Sequence, residues 1–374
     1  MTDITLVIPT MNEEEGIGEC IERAKEAFDE LGMEGEIIIS DSSTDRTPEI
    51  AREKGARVVE PDKPGYGYAY RYAFEKAEGD LIAMGDGDTT YDFSSLPKLI
   101  EKMREEDADM VMGNRLDGDI KPGSMPRLHK YIGNPLLTRF LNRFYGAGVS
   151  DAHSGMRVIK KEALDKLDLE TDGMEFASEM IMEAGARDLK IVETPITYHE
   201  RKGDATLHSF RDGWRHVKFM LLNAPSYVFS IPGIVLMLTG ALLLGLTFFD
   251  IQPMGQRLGP NTMIAGLLLF MTGYQAESLS IFSSMTSDPI KDPGGRVTNY
   301  IIERFTFEKG LAAGTLLFLS GGVYASYLVF SWYASGFSQV PNVEQGIAAF
   351  TGIFTGIQTV FHSLFMSMIS DKQR

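Results

Sequence analysis

The sequence predicts a mostly parallel α/β sheet domain that is followed by a membrane domain of four helices. Two patterns support this division. Short apolar β-branched runs alternate with helical patterns in the first half of the chain, and four hydrophobic stretches dominate the second half. The 374 residues are enough for two ordinary domains. We place the α/β domain at residues 1–204, an amphipathic helix at 205–225 and the membrane domain at 226–374.

Strands and helices alternate regularly in the predicted α/β domain. Residues 4–9 form a short apolar run typical of a buried strand, and residues 13–30 have helical spacing. The remaining predicted elements are, in order, the strand 36–41, the helix 47–54, the strand 56–59, the helix 68–77, the strand 81–84, the helix 96–105 and the strand 108–112. This alternation predicts a parallel sheet covered on both faces, and such sheets bind ligands at the carboxyl ends of their strands.

The segment 205–222 is amphipathic. Its apolar residues share one helical face, and its basic residues lie beside that face: Phe210, Trp214, Val217 and Leu221, with Arg211, Arg215 and Lys218. Because a hydrophobic stretch follows directly, the pattern favours a helix lying at the lipid interface. A surface helix packed on the domain is the alternative.

Four hydrophobic stretches follow, at 228–249, 262–285, 310–333 and 346–368. Each is near the ~20 residues that an α-helix needs to cross a bilayer. Lys and Arg are frequent before the first stretch, between the second and third, and in the tail, whereas the other two loops contain only Arg257. The positive-inside rule therefore predicts that both termini face the cytosol.

Composition excludes several kinds of site. The net charge of −16 argues against binding to nucleic acid phosphates. Cys20 is the only cysteine, which excludes an intrachain disulfide and a thiolate metal cluster. The first residues do not form a basic region followed by an apolar run, so we expect no signal peptide and a cytosolic first half.

Two aspartates follow the fourth predicted strand, in the sequence Gly85-Asp86-Gly87-Asp88. Carboxylates are the hard oxygen ligands that Mg²⁺ and Mn²⁺ prefer. Asp86 and Asp88 can reach one ion only if the chain turns between them, and glycine permits such a turn. The alternative is a simple acidic turn.

A series of motifs along the chain resembles the pattern of a known family. It comprises Val7-Ile8-Pro9-Thr10-Met11-Asn12-Glu13-Glu14, Ser40-Asp41-Ser42-Ser43-Thr44-Asp45, Lys63-Pro64-Gly65-Tyr66-Gly67, Gly85-Asp86-Gly87-Asp88, Val111-Met112-Gly113-Asn114-Arg115, Asp151-Ala152-His153-Ser154-Gly155-Met156-Arg157 and Pro195-Ile196-Thr197-Tyr198-His199-Glu200-Arg201. With this series the chain resembles the family 2 glycosyltransferases of the GT-A fold, a Rossmann-like nucleotide-sugar-binding fold. More narrowly it is similar to the polyprenyl- (dolichyl-) phosphate hexose synthases, over nearly all of residues 4–225.

The resemblance implies a donor site for a nucleotide sugar. The base and ribose would be bordered by Pro9, Thr10, Asn12 and Glu13, and Asp41 would bind the nucleobase. Gly65 and Gly67 would lie near the donor phosphates. The site for Mg²⁺ or Mn²⁺ would be formed by Asp86, Gly87 and Asp88. The family commonly has a third metal ligand two residues after the second aspartate, where this chain has Thr90. A helix cap at Asn12 and an ordinary turn at Gly65 remain alternatives.

The resemblance also implies an acceptor site for a lipid monophosphate. Arg115, Arg127 and Arg201 match arginines around that phosphate, with Lys130 as a competitor for the role of Arg127. Arginine suits phosphate because its planar fork can bind it in two places. In the same way Glu175 and Glu179 match a segment near the sugar, although a helix start explains them equally well.

One further acid lies inside the second hydrophobic stretch. Glu277 is a functional candidate because intramembrane acids are costly to bury, although Tyr274 or Ser278 could satisfy it locally.

The function implied is a membrane-bound inverting hexosyltransferase. It would move a hexose from GDP-mannose or UDP-glucose to polyprenyl or dolichyl phosphate at the cytosolic face, and a homo-oligomer is left open. One alternative is a processive polysaccharide synthase, but its Q-x-x-R-W motif is absent from the sequence. Another alternative is a non-catalytic membrane protein that presents or flips lipid-linked sugar.

Overall fold

A computed structural model of the chain describes residues 2–203, 209–223, 226–286, 290 and 306–372. Internal contacts divide the chain into two compact units, Met1–Met220 and Leu221–Arg374. The point of division falls within the predicted amphipathic segment 205–225.

The first unit is built on a seven-stranded sheet. Its strands are β1 (Ile4–Thr10), β2 (Gly35–Asp41), β3 (Arg57–Val59), β4 (Leu81–Met84), β5 (Met110–Ile120), β6 (Arg157–Lys160) and β7 (Ile191–Tyr198). Their spatial order is β3-β2-β1-β4-β6-β5-β7. Strand β6 pairs antiparallel with β4 and β5, whereas the other paired strands are parallel. The predicted mostly parallel α/β sheet is thus confirmed.

Eight α-helices accompany this sheet in the described residues. They are α1 (Ile17–Leu31), α2 (Thr47–Glu53), α3 (Tyr66–Phe74), α4 (Leu96–Glu106), α5 (Asn134–Tyr145), α6 (Lys161–Leu164), α7 (Phe176–Ala186) and α8 (Ser209–Leu222). The apolar side chains of β1 and of the inner face of α1, among them Leu6, Ile8 and Ile21, are fully buried together in the core. This packing fixes where the chain leaves β1, at the edge where the polar motifs lie.

One predicted helix began at the wrong residue, and two strands were not predicted. Helix α1 begins at Ile17 rather than at residue 13, because Asn12 has φ of 62° and Glu13 starts a turn whose carbonyl accepts from the Gly16 and Ile17 amides. Strands β6 and β7 were not predicted. β6 is only four residues long and has a basic residue at each end, so it lacks the apolar run that reveals a strand.

Helix α8 covers part of the predicted amphipathic segment. Residues 205–208 lie outside the described residues, as does the side chain of Phe210. His216 and Met220 are buried, one helical turn apart, whereas Trp214 is 60% exposed. The helix therefore has one face packed within the first unit and another that presents an aromatic side chain.

The second unit contains four long helices in its described part. They are a first helix (Ile231–Phe248), a second (Pro260–Thr286), a third (Phe307–Ala334) and a fourth (Val343–Lys372). Three described segments are long and apolar enough to cross a membrane, namely 228–248, 307–334 and 343–369. The second helix is not among them, so the number of four spans stays a prediction. Lys291, Arg296 and Arg304, which entered the prediction of orientation, lie outside the described residues.

Glycines set the packing distance between these helices. A Cβ on Gly240 of the first helix would lie 2.3 Å from the Phe270 amide nitrogen of the second. A Cβ on Gly314 of the third helix would lie 2.8 Å from the Gly356 carbonyl oxygen of the fourth. Backbones this close are typical of small residues at membrane helix interfaces.

Glu277 does not have the local partners that the sequence suggested. The Tyr274 hydroxyl hydrogen-bonds the Thr359 hydroxyl at 2.8 Å, and Ser278 Oγ bonds His362 Nδ1 at 2.8 Å. Both carboxyl oxygens of Glu277 are buried, with no hydrogen-bond partner among the described residues. Tyr274 and Ser278 instead join the second helix to the fourth.

Candidate active site

The carboxyl ends of β1 and β2 hold Asp41 in place. Thr10 pairs with Asp41 in the sheet register, and the Thr10 hydroxyl donates to Asp41 Oδ1 at 2.7 Å. The Ser43 hydroxyl donates to the same oxygen at 2.6 Å, and the Ser43 amide donates to Oδ2 at 3.2 Å. Asp41 is thus a buried, oriented carboxylate at the edge where the donor site was predicted.

Asn12 joins the loops that follow β1 and β2. The backbone amide of Asn12 donates to Ser43 Oγ at 2.8 Å, and its side-chain oxygen accepts from the Thr44 backbone amide at 2.8 Å. The residue preceding α1 is Gly16, so Asn12 does not cap that helix. Pro9 lies within β1, opposite Ser40.

An open groove of about 430 Å³ lies beside Asp41. It is lined by Asp41, Ser42, Ser43, Pro48, Glu60, Pro61, Asp62, Lys63 and Pro64. The predicted glycine loop continues from this lining, and Lys63 Nζ lies 3.0 Å from Asp172 Oδ2. The groove is therefore bounded on one side by the end of β2 and on another by the glycine loop.

Gly65 and Gly67 pack against the segment that precedes α7. Gly65 has φ of 147°, and a Cβ there would lie 2.4 Å from the Asp172 carbonyl oxygen. A Cβ on Gly67 would lie 2.4 Å from the Thr171 carbonyl oxygen. Both positions thus require glycine for a close backbone approach.

Asp86 lies two residues beyond the end of β4 and is held by a tyrosine. The Tyr66 hydroxyl donates to Asp86 Oδ1 at 2.9 Å. Burial, reinforced by the charge of Asp88, raises the pKa of Asp86 from 3.8 to about 7, although the Tyr66 hydrogen bond opposes that rise. A nearby cation would remove this penalty, because opposite charge favours the ionised carboxylate.

One oxygen of Asp88, Oδ1, already accepts two hydrogen bonds. The Thr90 amide and hydroxyl both donate to Asp88 Oδ1, at 3.0 and 2.5 Å. Thr90, which takes the position of the family's third metal ligand, thus orients Asp88. In the described residues, no group of three or more His, Cys, Asp and Glu side chains is arranged to hold a metal. The donor set still fits Mg²⁺ or Mn²⁺ through the two aspartates, with water or phosphate oxygens completing the coordination.

Arg201 reaches this site from the segment after β7. The His199 amide donates to the Thr90 carbonyl at 2.9 Å, and the Lys202 amide donates to the Asp88 carbonyl at 3.0 Å. Arg201 Nη2 pairs with Glu13 Oε1, and Nη1 lies 3.5 Å from Asp88 Oδ2. Arg201 therefore bridges the loop after β1 and the loop after β4.

Glu13 is a crowded carboxylate. Burial raises its pKa from 4.5 to about 7; the Arg201 charge opposes this, whereas the charges of Asp88 and Asp86 add to it. Glu13 is thus electrostatically coupled to the aspartate pair as well as to Arg201.

Arg115 is paired inside the protein. Its Nε and Nη2 donate to the two oxygens of Asp151 at 2.8 Å each, and both side chains are buried. The guanidinium also lies over the Tyr198 ring, 5.2 Å from its centroid. The charge of Arg115 lowers the pKa of Asp86, as expected of a cation near the aspartate pair. One edge of the planar guanidinium is already used by Asp151.

Arg127 lies on an exposed surface of the segment before α5. Lys130 is half-buried nearby in the chain, and large apolar side chains are exposed beside both: Leu128, Tyr131, Ile132 and Leu136. Basic and apolar side chains thus occur together here, a combination typical of surfaces that meet lipid.

The two glutamates assigned to the sugar lie at α7. Glu175 directly precedes that helix. Glu179 is buried, and its carboxylate accepts from the Glu170 amide and from the amide and hydroxyl of Thr171. Glu179 thus organises the segment that supports the glycine loop.

The site contains residues that the sequence argument did not select. Tyr66 orients Asp86, Ser43 orients Asp41 and Asp151 neutralises Arg115. Tyr66, Ser43 and Asp151 all lie inside the motif stretches quoted above, but neither spacing nor composition indicates what they contact.

Comparison with known proteins gives matches to both units. The family model for glycosyl transferase family 2 matches residues 5–168, and the model for the glycosyltransferase family 2 C-terminal transmembrane region matches residues 281–370.

Curated relatives come from Haloferax volcanii. A low-salt glycan biosynthesis hexosyltransferase, Agl6, is 52% identical over 98% of this chain and 89% of its own length. A dolichyl-phosphate hexose transferase is 34% identical over 56% of this chain and 89% of its own length. Among solved structures, glucosyl-3-phosphoglycerate synthase from Mycobacterium tuberculosis gives a TM-score of 0.49 at 24% identity, covering 60% of this chain and 80% of that one.

Proposed function

The chain belongs to glycosyltransferase family 2, and on that basis we propose that it transfers a hexose from a nucleotide sugar to a polyprenyl or dolichyl phosphate. Glycosyltransferase activity and membrane association follow from the family. The observation that carries the finer proposal is the convergence of Asp86, Asp88 and Arg201 at the carboxyl edge of the sheet. A metal-binding pair and a phosphate-binding cation thus meet at one place.

The donor would be held mainly by its nucleotide. The buried Asp41 carboxylate offers Oδ2 as an oriented acceptor, because Oδ1 already accepts from the Thr10 and Ser43 hydroxyls. The adjoining groove of about 430 Å³ is large enough for a base and ribose. Pro9, Thr10 and Asn12 would border the donor from the end of β1, and Gly65 and Gly67 would border it from the glycine loop. GDP-mannose and UDP-glucose are both compatible with this arrangement.

Asp86 and Asp88 would hold Mg²⁺ or Mn²⁺. When bound, such an ion stabilises negative charge that develops on a leaving diphosphate. The raised pKa of Asp86 supports this assignment, because two crowded carboxylates are stable in their ionised forms only with a cation beside them. Tyr66 and Thr90 keep the two carboxylates oriented when the ion is absent.

The acceptor would be a lipid monophosphate. Its second pKa lies near ~6, so at neutral pH it is already an anion and needs little help from a general base. Arg201 and the free edge of Arg115 would bind it, and Arg127 would meet it at the protein surface. The relative named as a dolichyl-phosphate hexose transferase supports this class of acceptor.

The geometry favours direct displacement with inversion. The chain offers cations to position an acceptor that is already nucleophilic, and attack opposite the leaving diphosphate inverts the anomeric carbon. Glu175 and Glu179 would lie near the sugar, with Glu179 acting through the Thr171 segment that it holds.

The acceptor phosphate has to be reached at a membrane surface. The exposed apolar side chains at 128–136 and Trp214 on α8 support a catalytic unit that rests against lipid. The distribution of Lys and Arg between the predicted spans supports a cytosolic location for that unit and for both termini.

The proposal is tested by incubating the purified full-length protein with dolichyl phosphate, Mg²⁺ or Mn²⁺ and a panel of labelled nucleotide sugars. The expected product is a lipid carrying one hexose, formed from one preferred donor. A polymer would indicate a processive synthase, and absence of transfer from every donor would indicate a non-catalytic protein; either result contradicts the proposal.

A further inference from the structure

Arg201 lies between two acids of the donor half of the site, Glu13 and Asp88. Its guanidinium lies between two carboxylates, with Nη2 at Glu13 and Nη1 3.5 Å from Asp88 Oδ2. The side chain is 22% exposed, and its Nε is buried with no hydrogen-bond partner in the part of the chain that the structure describes. The arginine proposed for the acceptor phosphate is therefore engaged by acids of the donor half of the site.

The oxygen that Arg201 approaches is the one a metal would need. Asp88 Oδ1 already accepts two hydrogen bonds from Thr90, at 3.0 and 2.5 Å. A carboxylate oxygen has two lone-pair positions, so Oδ1 is fully used and Oδ2 is the available ligand atom. A guanidinium and a divalent ion cannot both be close to Oδ2 without strong repulsion.

Backbone hydrogen bonds anchor the segment that carries Arg201, which makes its side chain the part expected to move in an exchange. Hydrogen bonds on both sides of Arg201, from the His199 amide to Thr90 and from the Lys202 amide to Asp88, hold this segment beside the aspartates. Glu13 holds the other terminal nitrogen of the guanidinium, Nη2, through its own Oε1. That contact does not involve Asp88, so it can persist after Asp88 has been released.

We propose that Arg201 is an internal counter-cation for Asp88, which it leaves when a divalent metal binds, and that Glu13 then retains it in position for the acceptor phosphate. The inference rests on the proposed function, because it needs Asp88 to be a metal ligand. It assigns Glu13 a role as a positioning residue for Arg201, in place of the contact with base and ribose implied by the family resemblance.

This exchange orders the events at the site. Before the metal binds, the Arg201 charge is neutralised by two carboxylates and attracts a phosphate weakly. After the metal binds, the guanidinium has one carboxylate partner and regains donors that a phosphate can accept. The acceptor is thus favoured only when the donor side is loaded, which would limit unproductive binding of the lipid phosphate.

Binding of Mn²⁺ in the absence of nucleotide sugar and lipid phosphate tests the exchange. The free ion is measured by electron paramagnetic resonance during titration of the detergent-purified full-length protein. Removing the competing cation with Arg201→Gln is expected to tighten Mn²⁺ binding by about three- to tenfold, because a partly buried ion pair no longer has to be broken. Activity is not part of this readout.

Two matched variants separate competition from a general change in charge. Lys202→Gln removes the same charge from the adjacent residue, whose side chain pairs with Glu19 rather than with Asp88; we expect a smaller effect on Mn²⁺ affinity. Arg201→Lys keeps the charge but cannot span both acids with a fork, and we expect affinity between those of the wild type and Arg201→Gln. This second variant is also the less disruptive one for folding.

The outcomes distinguish the inference from the proposed function. If Arg201→Gln and Lys202→Gln change the Mn²⁺ affinity equally, or Arg201→Gln weakens it, the exchange is wrong while the metal site stands. Asp88→Asn serves as the reference and should lose most of the binding. If it binds Mn²⁺ as well as the wild type, the metal assignment itself fails, and the inference fails with it.

Discussion

At the scale of single residues, the site is short of positive charge. Glu13, Asp86 and Asp88 are electrostatically coupled, and burial raises the pKa of Glu13 and of Asp86 to about 7. Arg201 and Arg115 only partly compensate, since Arg115 is already paired with Asp151. An arrangement that destabilises its own ionised acids is suited to bind a divalent cation together with anionic substrates.

The first prediction concerns the aspartate pair. Asp88→Ala should abolish transfer and Asp86→Asn should be nearly as severe, because the metal loses a carboxylate ligand, while circular dichroism stays unchanged. Asp107→Asn is a matched control, since Asp107 is 94% exposed and pairs with Lys160, away from the site. If either site variant keeps more than roughly a tenth of the activity, a loss below ~1.4 kcal/mol of barrier, the metal assignment is wrong.

The second prediction is a pH dependence of stability in the metal-free protein. The pKa of Glu13 is raised from 4.5 to about 7, so the folded state binds this proton more tightly than the unfolded state. The contribution of Glu13 to stability therefore falls as pH rises from about 4.5 to 7, and the loss persists above pH 7. Thermal unfolding at several pH values should show a smaller fall for Glu13→Gln than for the wild type. An equal or larger fall in the variant would show that Glu13 is ionised normally.

The third prediction separates donor from acceptor at Arg201. Arg201→Ala should raise the KM for the lipid phosphate strongly at saturating metal, while the Kd for the nucleotide sugar does not increase. Arg201→Lys should recover only part of the loss, because lysine is a point charge without the planar fork. Equal losses for donor and acceptor would move Arg201 into the nucleotide site.

At the scale of secondary-structure elements, the sequence predicted those strands and helices that have a local pattern of apolar residues. Five strands of the sheet have apolar β-branched runs and were found, whereas β6 depends on pairing with both β4 and β5 rather than on its own composition. The start of α1 was predicted too early, because the left-handed conformation of Asn12 is stabilised by the distant Ser43 and Thr44. Tertiary contacts decide such positions, and periodicity cannot show them.

The same limit applies to the site. Asp41 was selected because it ends a predicted strand, and Asp86 and Asp88 because they follow one; strand ends meet at one edge. Their partners come from other parts of the chain, so contacts such as Tyr66 with Asp86 could not be predicted. The pairing of Arg201 with Glu13, 188 residues apart in the sequence, is the clearest example.

The fourth prediction concerns packing between the third and fourth C-terminal helices. A Cβ on Gly321 would lie 2.7 Å from the Ala349 carbonyl oxygen, whereas a Cβ on the adjacent Gly322 would meet nothing within 4 Å. Gly321→Ala should therefore lower the thermal stability of the detergent-solubilised protein, and Gly322→Ala should leave it equal or slightly higher. Similar losses in both variants would contradict the packing described here.

At the scale of the whole molecule, the fifth prediction separates catalysis from anchoring. A chain ending at residue 225 keeps the complete sheet and the proposed donor site. It should fold, bind nucleotide and glycosylate a detergent-dispersed polyprenyl phosphate poorly, because a single amphipathic helix binds lipid weakly. A fragment that binds donor and metal but never transfers would show that the membrane domain builds part of the acceptor site, with Glu277 as the first residue to substitute.

The central claim is that one hexose passes directly from a nucleotide sugar to a lipid phosphate at the Asp86–Asp88 site. Its most direct test is the structure of the product made by the full-length protein from its preferred donor, determined by mass spectrometry and by NMR of the anomeric proton. We predict a single hexose joined to the polyprenyl phosphate, with an anomeric configuration opposite to that of the donor, and no such product with Asp88→Asn. A product with retained configuration, a sugar polymer, or an unchanged yield with Asp88→Asn would contradict direct transfer of one hexose at this site.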